Sequence, residues 1–402
     1  MSGPLSNIKV IEFGTAIAGP MCGMILGDMG ADVIKVERPK VGDDARHWGT
    51  LVKGESPYFL NYNRNKRSIA LDIRSEEGRA IILKLAERSD VLIENFRPGV
   101  MERLKLSYEE LSKVNPKLIY CSVSGFGQTG PYSRLGGYDF IIQGMCGLMS
   151  VTGEPDGPPL RVGVPITDIL TALYAAISIL LALYAREKTG RGQRIDVSLL
   201  ESGVASVSQW LSIYTVSGII TKRFGNKYPI MAPYEPFPTK DGEILVAALN
   251  EELWSRLCRA INREDLMNDP RFKTNAERII PQNREALASI LSEVFKQKTS
   301  KEWLEILWNA EIPAGPINTI DKLVDDPHLK ERGDFVEVEH KTLGKIKLFG
   351  IVPKLSETKG EVSRPPPLLG QHTIEILNEL GYKNEEILEL AKKGIIGVIG
   401  SL

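Results

Sequence analysis

What this chain lacks narrows its function before any motif is read. It has four cysteines and four histidines in 402 residues. Cys22, Cys121, Cys146 and Cys258 form no CxxC pair, and no histidine cluster sits beside them. Neither a zinc site nor a disulfide framework is expected, and a reducing, cytoplasmic compartment fits. Charge of neither sign is in excess, with 50 Lys and Arg against 51 Asp and Glu and a net charge of −1. No global field draws the chain to nucleic acid or an anionic membrane, so an anion site must be local. Met1 to Lys9 shows no basic-then-apolar leader pattern. The apolar, uncharged stretch Ile169 to Ala185 falls short of the ~20 residues a membrane span needs. It reads as a helix buried on all sides in a large core. There is no GxSxG elbow, and His328, His340 and His372 all lie in the C-terminal quarter. A Ser/His/Asp hydrolase is therefore disfavoured.

What is present is an ordinary globular composition, 43% hydrophobic and 25% charged, long enough for two or three domains. The first third alternates strand and helix signals. Ile8–Phe13, Ala31–Glu37, Ser68–Ile73, Asp90–Glu94 and Leu118–Val123 read as strands, with a helix at Met21–Met29 and another capped by Ser75. Such βαβ alternation predicts an α/β fold with a mainly parallel sheet. The apolar helix from Ile169 ends in a basic turn and the glycines Gly190 and Gly192. Residues 201–238 read as a linker, 239–326 as a smaller domain, and Phe335–Phe349 as a hairpin.

Three features carry chemistry. A strand, a glycine loop, a helix and a second strand ending in Glu37 suggest a nucleotide-like ligand, with Glu37 about where a ribose hydroxyl would meet an acid. The loop is Gly14-x4-Gly19-x3-Gly23 rather than GxGxxG, so the tight turn and close pyrophosphate approach of that fingerprint are not encoded and nicotinamide chemistry is disfavoured. Its glycines can equally serve only to pack helix on strand. Arg38, Lys66, Arg67, Arg74, Arg97 and Arg103 punctuate strand ends, where a phosphate-bearing ligand would dock; a solvated rim is the alternative. Asp168, after Pro165-Ile166-Thr167, opens the apolar helix. At the positive end of a helix dipole it is expected to ionise readily, either as an acyl-accepting nucleophile or as a plain N-cap.

Several segments in order then match a known family. They are Ala18-Gly19-Pro20, Gly30 to Arg38, Asn63 to Ser68, Glu94 to Gly99, Ser124 to Gly127, Gly137-Tyr138-Asp139, Thr152-Gly153 and Thr189 to Gln193. Over nearly its whole length the chain resembles the class III CoA-transferases of the CaiB/BaiF type, whose relatives include formyl-CoA transferase, carnitine CoA-transferase and the α-methylacyl-CoA racemases. The resemblance implies a Rossmann-like, CoA-binding large domain begun by residues 1–200 and completed by 327–402. A small α+β domain is inserted, and two subunits interlock as a homodimer. It implies that Thr15, Ala18, Arg38, Leu71, Arg74, Asn95, Phe96 and Arg103 line the CoA site, with Arg38 and Arg74 on the nucleotide end. Asp168 falls on the nucleophile position, so CoA moves between an acyl-CoA and a carboxylic acid through covalent intermediates, with no permanently bound cofactor and no metal. The racemases carry an acid/base His where this chain has Tyr138. A phenol of pKa about 10 cannot readily cycle protons at neutrality. Tyr138 therefore points to transfer, as a hydrogen-bond donor or an interfacial aromatic, with 2-methylacyl-CoA racemisation as the alternative. Formyl-CoA transferase carries Gln where this chain has Ile17, and a glycine run that Val246–Glu251 lacks, so oxalate and formate are not the expected pair.

Overall fold

The computed structural model describes residues 3–399. They divide into two compact units. The larger comprises the described residues of Met1–Leu148, Val162–Val216 and Pro327–Leu402; the smaller is Met149–Arg161 with Ser217–Asp326.

The larger unit is built on β1 (Lys9–Glu12), β2 (Asp32–Glu37), β3 (Lys66–Leu71), β4 (Val91–Glu94), β5 (Ile119–Ser124) and β6 (Arg194–Ser198). Their spatial order is β3-β2-β1-β4-β5-β6, every pairing parallel. A short C-terminal strand, Ile396–Gly397, adds antiparallel to β3. Strand order reverses between β1 and β4, and the crevice beyond their C-terminal ends is the switch point where open α/β sheets bind ligands.

Adjacent residues on each strand serve opposite faces. Ile11, Ile34, Ile69 and Leu92 join one core with Ile81, Leu85, Ile376 and Leu377. Val10, Val33, Val91 and Ile93 join another with Leu26, Ala172, Ala175 and Ile179. A two-residue period with both faces buried explains why these strands read as continuous apolar runs.

The helix after β1 runs Ala18–Asp28, three residues earlier than Met21, because Pro20 tolerates the first turn. Its glycines are packing residues. A Cβ on Gly23 would lie 2.0 Å from Glu12 Oε2, and one on Gly19 2.9 Å from Gly14 Cα.

Beneath the β1 loop lies a buried ion network. Glu12, Lys35 and Lys66 are fully buried, and Asp43 and Glu37 nearly so. Glu12 pairs with Lys35 at 2.9 Å and Lys66 at 2.7 Å, and Lys35 also reaches Asp43 at 2.9 Å. Glu37 accepts from both Arg46 Nε (2.7 Å) and Nη2 (2.8 Å), and from Ser68 Oγ at 2.6 Å. Glu37 is thus a structural anion rather than a ribose partner. Lys66 and Arg67 open β3 instead of ending a strand, and Arg67 is spent on Asp32, Glu375 and Glu379.

The long helix spans Ile166–Thr189 and is not buried on all sides. By length and composition it could cross a membrane, but its Ala172, Ala175, Ala176 and Ala182 face packs into the core. The opposite stripe of Leu173, Ile177, Leu180, Leu181 and Tyr184 is exposed. The expected linker also carries structure: helices Leu199–Ser206 and Ser208–Ser217, and strand Tyr234–Pro238. The smaller unit pairs that strand with Glu243–Ala247, which pairs in turn with Ala314–Pro316. Helices around Trp254, Leu291 and Trp303 cover this sheet. The hairpin forms from Phe335–His340 and Gly344–Phe349.

Replacing Glu12 by Gln leaves two buried ammonium groups without their shared carboxylate. The variant is expected to lose about 3–5 kcal/mol of stability, measured by urea denaturation against the wild type. A loss under 1 kcal/mol would show that the network does not support the fold.

Candidate active site

A cavity of about 330 Å³ opens at the switch point. Its walls are the loops after β1, β4 and β5 and the start of the long helix. Thr15, Ala18, Asn95, Phe96, Tyr138 and Asp168 all line it, so six of the ten residues named from the sequence meet there. Arg38, Leu71, Arg74 and Arg103 do not line it. The three arginines are exposed: Arg38 directly follows β2, Arg74 lies shortly after β3, and Arg103 ends the short helix Val100–Arg103 that follows β4. Leu71 is 1% exposed and belongs to the core, so its side chain is not offered to a ligand.

The β1 loop is tightly held. The Asn95 side chain accepts from Thr15 N and donates to Thr15 O, both at 2.8 Å. Ala16 has φ +64, a left-handed conformation that costs a non-glycine residue roughly 1–2 kcal/mol. Asp43 Oδ1 accepts from Ala16 N at 3.0 Å and fixes it. Lys35 donates to Gly14 O at 2.5 Å, tying the loop to the ion network below. The helix that follows starts from Ile17 with no side-chain cap. Its first-turn N–H groups therefore favour a negative group at this wall of the cavity.

Close backbone approach shapes the opposite wall. A Cβ on Gly125 would lie 2.7 Å from Gly137 Cα, so these two glycines let the Gly136–Asp139 loop rest on the end of β5. Ser124 is no nucleophile here; its Oγ accepts from Gly127 N at 2.9 Å. Tyr138 stands at the N-cap of helix Asp139–Met145 and is 71% exposed.

Asp168 is neither an N-cap nor readily ionised. Pro165 occupies the cap position and Asp168 the first turn. Its half-buried carboxyl has no hydrogen bond or ion pair among the described residues. Burial first, and then the neighbouring Asp139 carboxylate, push it up to about 7. The helix end is capped by Asp139 instead, whose Oδ1 accepts from Thr167 N at 2.9 Å and Thr167 Oγ1 at 2.8 Å. Trp48, Arg97 and Asp139 also line the cavity. Tyr62 lies within electrostatic reach of Asp168; burial raises its phenol, and Asp168 and Tyr58 add to the rise. Sequence reading offered Arg97 only as one of several basic residues at strand ends, and missed Trp48, Asp139 and Tyr62 as site residues. Only Asp139 and Arg97 stood inside matching segments, and nothing local marked Trp48 or Tyr62.

An unpaired carboxyl at the switch-point cavity of a Rossmann-type α/β sheet defines an acid-centred site with no metal-binding cluster of His, Cys, Asp and Glu among the described residues. A family model described as CoA-transferase family III matches residues 5–373. The chain is 42% identical to the Homo sapiens succinyl-CoA:glutarate CoA-transferase, over 98% of this chain and 90% of that protein. It is 40% identical to the Agrobacterium fabrum succinate–glutarate CoA-transferase, over 94% of this chain and 96% of that one. A CaiB/BaiF family protein from Brucella suis superposes with a TM-score of 0.84 at 40% identity, over 94% of this chain and 100% of that one. This chain belongs to CoA-transferase family III and is an enzyme of the CoA-transferase type.

The raised Asp168 carboxyl sets a stability test. Its ordinary value is 3.8 and its folded value about 7, so ionisation opposes folding. That penalty is absent below about pH 4, grows between 4 and 7, and is complete above 7. Asp168→Asn removes it. The variant should melt above the wild type at pH 8, and the two melting temperatures should converge toward pH 4. A constant difference across that range would contradict the burial of the carboxyl.

Proposed function

We propose that this enzyme is an acyl-CoA:carboxylate CoA-transferase working through covalent intermediates on Asp168. The observation that carries this reading is the unpaired Asp168 carboxyl facing a cavity beside Tyr138. An Asp168 oxygen attacks the thioester carbonyl; the C–S bond breaks and CoA thiolate leaves, forming a mixed anhydride. The thiolate then attacks the aspartyl carbonyl, releasing the donor acid as its carboxylate and leaving an aspartyl-CoA thioester. The acceptor carboxylate attacks that thioester and displaces CoA thiolate. The thiolate finally takes the acceptor acyl group and regenerates Asp168. Every step exchanges one acyl bond for another, so no permanently bound cofactor or metal is invoked. Tyr138 donates a hydrogen bond to the developing oxyanion.

Thr15, Ala18, Asn95 and Phe96 would hold the pantetheine arm. Arg38, Arg74 and Arg103, on the rim, would meet the nucleotide phosphates, with Leu71 contributing only support from the core. The Homo sapiens and Agrobacterium fabrum relatives are named for succinate and glutarate, and a Chloroflexus aurantiacus relative for succinyl-CoA and D-citramalate. These names support succinyl-CoA as donor and a five-carbon dicarboxylic acid as acceptor. They do not favour a racemase. We further propose a cytoplasmic location, which four buried free thiols suit, and an interlocked homodimer that covers the exposed Leu173–Tyr184 stripe. In it, 1–200 and 327–402 form the large domain and 239–326 the small one.

Rapid quench with succinyl-CoA, followed by borohydride or hydroxylamine, should mark a single peptide containing Asp168. Asp168→Asn should lose about a thousandfold or more in turnover. A variant near the wild-type rate would remove Asp168 as nucleophile. The assembly is tested separately. A threaded dimer buries well over the roughly 1,600 Å² of a standard interface, so sedimentation at nanomolar concentration should detect no folded monomer.

A further inference from the structure

The long helix does not hold its own first turn. Pro165 offers no side-chain cap, and the work falls to Asp139 on a different helix, 28 residues before the Thr167 it holds. Asp139 Oδ1 takes both donors of Thr167, the residue immediately before Asp168. Its Oδ2 accepts from Gln143 Nε2 at 2.7 Å. Gln143 is fully buried, reaches Val164 O at 3.3 Å, and accepts from Val162 N at 2.8 Å. One carboxylate and one amide thus pin the backbone on both sides of Pro165, and Thr167 is itself fully buried.

We infer that Asp139 is a positioning residue for the transfer reaction: through Thr167 and Gln143 it fixes where the Asp168 carboxylate stands and sets the field in which that carboxylate ionises. The inference rests on the reading of Asp168 as nucleophile. The ionisable groups around Asp168 are Asp139 and Tyr138 from the Asp139 helix and its cap, Tyr62 from the helix Pro57–Tyr62, and Arg97 across the cavity. Asp139 is the only anion among them. Burial is the larger cause that disfavours the ionised nucleophile, and the negative charge of Asp139 adds to it, so the clamp that orders the attacking group also helps to keep it from ionising fully at neutral pH.

The two roles separate by mutation. Asp139→Asn keeps an oxygen for Thr167, gives up the Gln143 bond and removes the charge. Asp139→Ala removes both. Acylation of Asp168 by succinyl-CoA is followed in single turnover from pH 5 to 9, on variants first shown by thermal melting to fold. In the wild type the rate should rise with pH as Asp168 ionises. In Asp139→Asn that rise should move to lower pH by about half to one unit, with the plateau rate within about threefold of wild type. In Asp139→Ala the plateau should fall about ten- to a hundredfold while the KM for succinyl-CoA stays within threefold. An unmoved pH profile in Asp139→Asn, or a wild-type plateau in Asp139→Ala, overturns the inference. Asp168→Asn, run in parallel, reports on the nucleophile reading alone: acylation retained there would sink that reading whatever Asp139 does.

Discussion

The site depends on a set of buried charges that no longer see water. Glu12, Lys35, Asp43, Glu37 and Arg46 gather around the ends of β1 and β2, and Lys66 reaches in from the start of β3, three anions against three cations. Removing such ions from water costs several kcal/mol each, and their mutual attraction offsets this only with near-complete pairing. Complete pairing in turn fixes positions. Lys35 cannot serve Glu12, Asp43 and Gly14 O together unless β1, β2 and the 43–46 turn keep their spacing. That rigidity lets Ala16 stay in a left-handed conformation at the cavity wall. It also explains why Gly23 has no room for a side chain, since the Glu12 carboxylate occupies that volume.

The network also tunes its members against one another. Burial lowers Lys66 to about 8, with Glu12 partly opposing the fall. Burial likewise pulls Lys35 down, yet Asp43, Glu12 and Glu37 outweigh it and hold its ammonium form. The same physics acts with the opposite result at Asp168. A helix N-terminus favours a carboxylate by about 0.3–1 kcal/mol, less than the cost of withdrawing one from water. With Asp139 beside it and no cation paired to it, burial prevails and the carboxyl rises to about 7. A nucleophile need not be fully ionised in the free enzyme. It needs to be unpaired, so that nothing must be broken before it attacks, and Asp168 meets that condition.

The parallel sheet was legible because strands buried on both faces must be apolar throughout. The helix ends were legible where a cap or glycine was local, as at Ser75 and Gly190. The meeting of Thr15, Ala18, Asn95, Phe96, Tyr138 and Asp168 was foreshadowed only by resemblance, since contacts spanning 150 residues leave no local periodicity. Three expectations failed for one reason. Glu37, Lys66 and the helix from Ile166 each looked right for a role in isolation, and each was redirected by partners outside its own element: Arg46 and Ser68, Glu12 and Asn63, and for the helix a core that covers only its alanine face.

The order of residues by itself determined the class of the molecule: an α/β chain with a parallel sheet, an acid at the head of an apolar helix, and motif segments that mark a CoA-transferase. Only the tertiary structure decided which charges are spent internally and which face the cavity. It also decided that Asp139 rather than Asp168 caps the long helix, and that Asp168 is raised rather than lowered. A residue's ionisation and availability depend on what surrounds it at three to six ångströms, and that neighbourhood exists only after the strands have paired.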